Sequence, residues 1–128
     1  MKLLLDTHTA LWWVNEHEKL SSDAKNMLLD DTHTLYISIV SAWEIAIKAS
    51  LGKLPGFDGG ASRFLTKVTE MPVLLLPVEP HHIEQVEPLP YIHRDPFDRL
   101  LIATAKSEGM TILTADKNIH QYDVPTVW

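Results

Sequence analysis

Four carboxylates carry the chemistry open to this chain: Asp6, Glu44, Asp98 and Asp116. Asp6 ends the apolar run Leu3-Leu4-Leu5, and Asp116 follows the run Thr111-Ile112-Leu113. Glu44 falls in the second turn of one helical stretch and Asp98 in the first turn of another. Gathered in one place, such groups repel. Two carboxylates about 4 Å apart cost on the order of 4 kcal/mol at an effective dielectric near 20. Three or four stay ionised together only if a cation joins them; otherwise some take protons. Hard oxygen donors in a chain without cysteine select Mg2+ or Mn2+. A site of that kind activates water, sets it in line with a phosphodiester and stabilises the leaving oxygen. The residue types point to metal-dependent phosphoester hydrolysis.

Each acid also has an ordinary explanation. Asp6 can simply end a strand. Glu44 and Lys48, four residues apart on a helix, can form a surface ion pair worth about 0.2–0.5 kcal/mol. Asp98 suits the positive end of a helix dipole. Asp116 suits a turn in Ala115-Asp116-Lys117-Asn118. The surroundings of Glu44 argue for more. Val40, Trp43, Ile45, Ile47 and alanines at 42, 46 and 49 make its helix apolar nearly all round. That predicts a largely buried helix, in which an acid without a strong partner is costly. Asp95 is different: a role as helix N-cap accounts for it fully, although it can still lie beside the site.

The elements that must position these acids are legible as alternating strands and helices. Short strands are predicted at 3–5, 35–37, 73–76, 111–113 and 124–127. Helices are predicted over 8–14, over 23–29 with Ser22 as cap, over 39–51 with Ser38 as cap, over 61–70, over 80–86 and over 96–108. In the last of these Asp95 is the N-cap, Pro96 takes the first helical position and Gly109 stops the helix. The strands are continuous apolar runs, as in a parallel sheet covered on both faces. The expected architecture is a three-layer α/β fold with a central, mostly parallel sheet flanked by helices. In such sheets sites form at the carboxyl ends of the strands, which is where Asp6 and Asp116 fall.

Composition narrows the options. A chain of 128 residues has room for a single domain, 1–128. It is 45% hydrophobic and 22% charged, as expected of a folded globular protein. Zero cysteines exclude a disulfide scaffold, a cysteine nucleophile and a thiolate metal site. Eleven basic against seventeen acidic residues give a net charge of −6, so no general basic coat for nucleic acid exists. Asp6 cuts the N-terminal apolar run too short for an export signal, and no window suits a membrane helix. The expectation is a soluble, cytoplasmic protein. Other chemistries fit poorly. His8 stands where a haloacid-dehalogenase phosphatase needs its second Asp. There is no Gly-rich phosphate loop, no nucleophile elbow and no zinc-protease helix motif. Most of the seven histidines read as structural or solvated, and the adjacent His81 and His82 are expected to point apart.

Four segments, in order, resemble a PIN-domain protein, and more narrowly the VapC-type ribonuclease toxins of toxin–antitoxin systems. They are Leu3-Leu4-Leu5-Asp6-Thr7, the Ser38-to-Ile45 stretch with Ser41-Ala42-Trp43-Glu44, the run His93-Arg94-Asp95-Pro96-Phe97-Asp98-Arg99-Leu100-Leu101-Ile102-Ala103, and Leu113-Thr114-Ala115-Asp116. The resemblance covers essentially the whole chain, and it implies a PIN-like fold. It implies that Asp6, Glu44, Asp98 and Asp116 are catalytic metal ligands for Mg2+ or Mn2+, with Asp95 and Thr114 in support. It implies an RNA substrate, a homodimer, and a cognate antitoxin that places a basic side chain or tail in the acidic cleft. Lys48, Arg94, Arg99 and Lys117 are then candidates to guide phosphates, and Leu11, Trp12 and Trp13 read first as core. Two rival readings remain open here: a housekeeping PIN nuclease in RNA processing, and a non-catalytic interaction module on the same fold.

Overall fold

The computed structural model describes residues 1–128. Five strands form one sheet in the order β3-β2-β1-β4-β5, and every neighbouring pair is parallel. The strands are β1 (Lys2–Leu5), β2 (Thr34–Ser38), β3 (Leu74–Leu76), β4 (Thr111–Leu113) and β5 (Thr126–Val127). The helices are α1 (Thr7–Val14), α2 (Ser22–Leu29), α3 (Ile39–Ser50), α4 (Gly60–Thr69), α5 (Pro80–Glu84), α6 (Pro96–Glu108) and α7 (Lys117–His120). The sheet is thus wholly parallel, and helices cover both of its faces.

The pleat explains the apolar run of β1. Successive side chains point to opposite faces. Leu3 and Leu5 join one core with Leu35, Ile37, Ala42, Ile45, Phe64 and Leu113. Leu4 joins the other, with Val40, Leu101, Ile102, Ile112, Ile119 and Tyr122. All three leucines are fully buried. Leu11, Trp12 and Trp13 are half-buried and pack on the first core, as expected.

Local signals set most helix starts. Asp6 caps α1 through Thr9 N at 2.8 Å, and Ser38 caps α3 through Val40 N at 3.1 Å. Asp95 caps α6, and Gly109 ends it at φ +65°. One cap differs from the expected one: Ser21, not Ser22, accepts from Ala24 N at 3.1 Å. A cap hydroxyl reaches the amide three residues on, so Ser22 becomes the first helical residue. Gly59 precedes α4 at φ +91°, and a Cβ there would lie 2.6 Å from Arg63 Cβ. Helix α3 is not buried all round: Trp43 is 60% exposed and packs edge-on against Phe97 at the surface. No helix is long and apolar enough to cross a membrane.

Strand β1 lies at the centre, with β2 on one side and β4 on the other. Connections leave it in both directions, and the loops beyond its carboxyl end part there. Ligand crevices in open α/β sheets form at such switch points. In register, Leu5 is flanked by Ile37 and Leu113, so Asp6, Ser38 and Thr114 emerge side by side.

Candidate active site

Asp6 is 3% exposed and held at both oxygens. Oδ1 accepts from Thr9 N at 2.8 Å, and Oδ2 accepts from the Thr114 hydroxyl at 2.5 Å. Thr114 Oγ1 also accepts from Asp116 N at 3.0 Å, so one hydroxyl ties the first acid to the fourth. Asp116 in turn caps α7 through Asn118 N at 2.8 Å. A hollow of about 320 Å³ opens between them, lined by Asp6, His8, Trp12, Lys19, Ala115 and Asp116.

Asp98 stands in the first turn of α6, near enough to Asp6 and Asp116 for their charges to act on it. Burial lifts its carboxyl to about 7, a hydrogen bond from His93 opposes the rise, and the charges of Asp95, Asp116 and Asp6 add to it. Four acids from three segments therefore share one electrostatic environment. Burial also raises Asp6, against the lowering effect of its bonds to Thr114 and Thr9. Asp95 Oδ1 is taken by Phe97 N and Asp98 N, at 2.9 and 3.1 Å. Its cap role is real, and its charge still acts on Asp98.

Glu44 lies in the second turn of α3. One turn before it, Ser41 Oγ lies 2.9 Å from Thr7 Oγ1, which pins this part of α3 beside the residue that follows Asp6. Glu44 is 2% exposed, and Lys48 Nζ lies 2.5 Å from its Oε2. Its Oε1 is buried with no hydrogen-bond partner. A buried acceptor left this way costs about 1–3 kcal/mol. An orphaned buried carboxylate oxygen, two acids with raised proton affinity and an all-oxygen donor set fit a hard divalent cation.

The candidate phosphate-guiding bases divide. Arg94 and Lys117 are exposed. Lys48 is spent on Glu44. Arg99 does not fit the role at all. It is 4% exposed, and its guanidinium donates to the carbonyls of Pro90, Leu89 and Val86 at 2.8, 3.3 and 3.4 Å. Its donors are used within the protein, so it organises a loop and does not meet a phosphate.

The histidines hold two surprises. His93, part of a motif singled out for its acids, binds Asp98 Oδ2 through Nε2 at 3.0 Å. The spacing of five residues across a cap was the available signal. His81 and His82 do not point apart: both bring Nε2 to Glu108 Oε1, at 3.1 and 2.8 Å. The short helix α5 lies against α6, and its first turn lets both rings reach one carboxylate. Three ligand atoms so placed resemble a metal site, but His82 Nδ1 accepts the amide of Glu79 at 3.0 Å. The proton of a neutral imidazole must then sit on Nε2, which leaves no lone pair there for a metal.

A family model, described as "PIN domain", matches residues 3–125. The chain is similar to Ribonuclease VapC22 of Mycobacterium tuberculosis, 29% identical over 98% of both chains. Its fold is similar to that of a VapBC2 structure from Rickettsia felis bound to a promoter DNA fragment, with a TM-score of 0.72 and 16% identity over 100% of this chain and 99% of that one. A DNA-bound VapBC structure from Salmonella typhimurium has a TM-score of 0.69 and 16% identity, over 99% of this chain and 97% of the other.

Proposed function

The chain belongs to the PIN domain family, and on that premise we propose that it is a divalent-metal-dependent endoribonuclease, the toxin of a toxin–antitoxin pair acting in the cytoplasm. The observation that carries the reading is the shared electrostatic environment of Asp6, Asp98 and Asp116; a buried, unpartnered oxygen on Glu44, one turn after the Ser41 that meets Thr7, supports it. The similarity to a VapC ribonuclease over the full length supports the RNA substrate. The likeness in fold to toxins solved in VapBC assemblies supports an antitoxin partner and a dimer.

In this reading Asp6, Glu44, Asp98 and Asp116 would hold Mg2+ or Mn2+. Such an ion, when bound, supplies Lewis-acid stabilisation of the phosphate and acidifies a water. The protein's own groups do the rest. Thr114 orients Asp6 through its hydroxyl and Asp116 through its backbone amide. Lys48 neutralises one oxygen of Glu44 and leaves the other open. The exposed Arg94 and Lys117 draw the phosphate chain toward an otherwise repulsive rim. An antitoxin competes by placing a basic group among the same carboxylates.

The test is cleavage of single-stranded RNA by the purified chain with Mg2+ or Mn2+, with EDTA, and by Asp6→Asn. Cleavage is expected only from the wild type with metal. Cutting that persists in EDTA or in a folded Asp6→Asn protein overturns the mechanism. A chain that binds its partner and never cuts RNA, even when freed, favours an interaction module instead.

A further inference from the structure

His93 stands between the acid cluster and the core. Nδ1 lies 2.8 Å from Tyr122 Oη, and Nε2 lies 3.0 Å from Asp98 Oδ2. Tyr122 Oη also lies 3.2 Å from Arg99 Nη1 and 3.2 Å from the His93 backbone nitrogen. The direction of each proton follows from what each group can do. A guanidinium and an amide N–H only donate, so the tyrosine oxygen accepts from both. Its own proton then turns to His93 Nδ1, since the alternative acceptor, the His93 carbonyl, is farther away at 3.5 Å. The imidazole proton is left on Nε2 and points at Asp98. The result is a chain of hydrogen bonds from guanidinium to phenol to imidazole to carboxylate. Every bond donates in the same sense, and each polarises the next.

The buried cation at the head of this chain organises a loop and also donates to the phenol. No carboxylate lies within ion-pair distance of Arg99. It is solvated by three carbonyls and lies over the Tyr91 ring, 4.1 Å from the centroid. Asp98 and Arg99 are adjacent on α6, and adjacent helical residues do not face each other. Tyr122 and His93 bridge that gap, and both come from outside the helix.

We propose that His93 is a positioning residue, locked in its Nε2–H form by the Arg99–Tyr122 pair, and that it clamps Asp98 by Oδ2 so that Oδ1 is presented to the cation. The role rests on the functional reading above. It predicts that removing the clamp weakens metal binding and leaves the hold on RNA intact.

Two measurements on the full chain test it, and neither needs RNA. Long-range 1H–15N spectra of the metal-free protein should show His93 protonated at Nε2 and bare at Nδ1. Tyr122→Phe should release that preference while the fold persists. Titration with Mn2+, read by electron paramagnetic resonance, should show His93→Ala and Tyr122→Phe binding about 10-fold to 100-fold more weakly, the usual range for outer-shell partners. His93→Gln, which keeps an N–H donor, should recover part of the loss. In RNA cleavage at fixed metal, kcat should fall and KM should hold. An Nδ1–H form in the wild type, or unchanged Mn2+ affinity in folded His93→Ala or Tyr122→Phe, overturns the proposal. If His93→Ala does not fold, Tyr122→Phe alone decides by the same two readouts. A wild type that binds Mn2+ with the expected tautomer but cuts no RNA sinks the nuclease reading and leaves the clamp standing.

Discussion

Two carboxylates on helix α6 are each bonded to histidine, and their proton affinities move in opposite directions. Glu108, at the last turn, accepts from His82 and His81, and those bonds hold its carboxyl below the usual range. Asp98, in the first turn, accepts from His93, and its carboxyl is still pushed up to about 7. Glu108 has two such bonds and Asp98 one, but losing one bond does not by itself reverse the sign. Burial and neighbouring charge do. The Glu108 side chain is 32% exposed, against 13% for Asp98, and Asp95, Asp116 and Asp6 bear on Asp98 alone. A histidine partner stabilises a surface acid outright; among like charges in a mostly buried place it only offsets part of the strain. That residual strain is what a divalent cation would relieve.

Replacing the strained member should have the largest effect. Asp98→Asn is expected to abolish RNA cleavage and to raise the metal-free melting temperature near pH 7.5, because it removes a buried charge facing three others. Retained cleavage would break the contrast at once. Adding Mg2+ or Mn2+ at about 100 times Kd should stabilise the wild type by roughly 2.7 kcal/mol and the variant by much less.

A pH series sharpens the same point. Between about pH 4 and 7 the native Asp98 binds a proton that the unfolded chain releases, so stability from this group falls as pH rises through that window and is flat above it. The difference in melting temperature between Asp98→Asn and wild type, in EDTA, should therefore open from pH 4 to 7 and then stay constant. Saturating metal should close it.

Lys48→Met probes an acid that already has a partner within the protein. It leaves both oxygens of the buried Glu44 without a donor, and a loss of about 1–3 kcal/mol is expected, partly recovered by Mg2+. Calorimetry with and without the ion reads both halves.

The smallest effect belongs to Glu108→Gln. Cleavage should be unchanged, and the melting temperature should drop by about 2–5 °C, the size of one weakened hydrogen bond. Because the folded proton affinity of Glu108 is lowered, its contribution is present above about pH 4.5 and fades as pH falls below that. A large loss of activity in this variant would show that the two ends of α6 are not separable.

The parts legible from residue order were those with local causes. Leu3-Leu4-Leu5 reads as a doubly buried strand because each residue needs only a face to cover it. Asp95-Pro96 and Gly109 mark the ends of α6 by backbone rules that act within one turn. The acids could be assigned to one edge because parallel strands must carry their carboxyl ends to the same side. What escaped was built across the chain. Arg99 looks like any exposed base until the carbonyls of Val86, Leu89 and Pro90 close on it. His93 meets Tyr122, 29 residues away. His81 and His82 share an acid 27 and 26 residues on.

Chain order alone set the strands, the caps and the supply of oxygen ligands, since hydrophobic period and capping depend on neighbours a few bonds away. Only the folded molecule decided which oxygens stay free and which cation is buried, because desolvation and like-charge repulsion depend on distances that no short stretch of sequence contains.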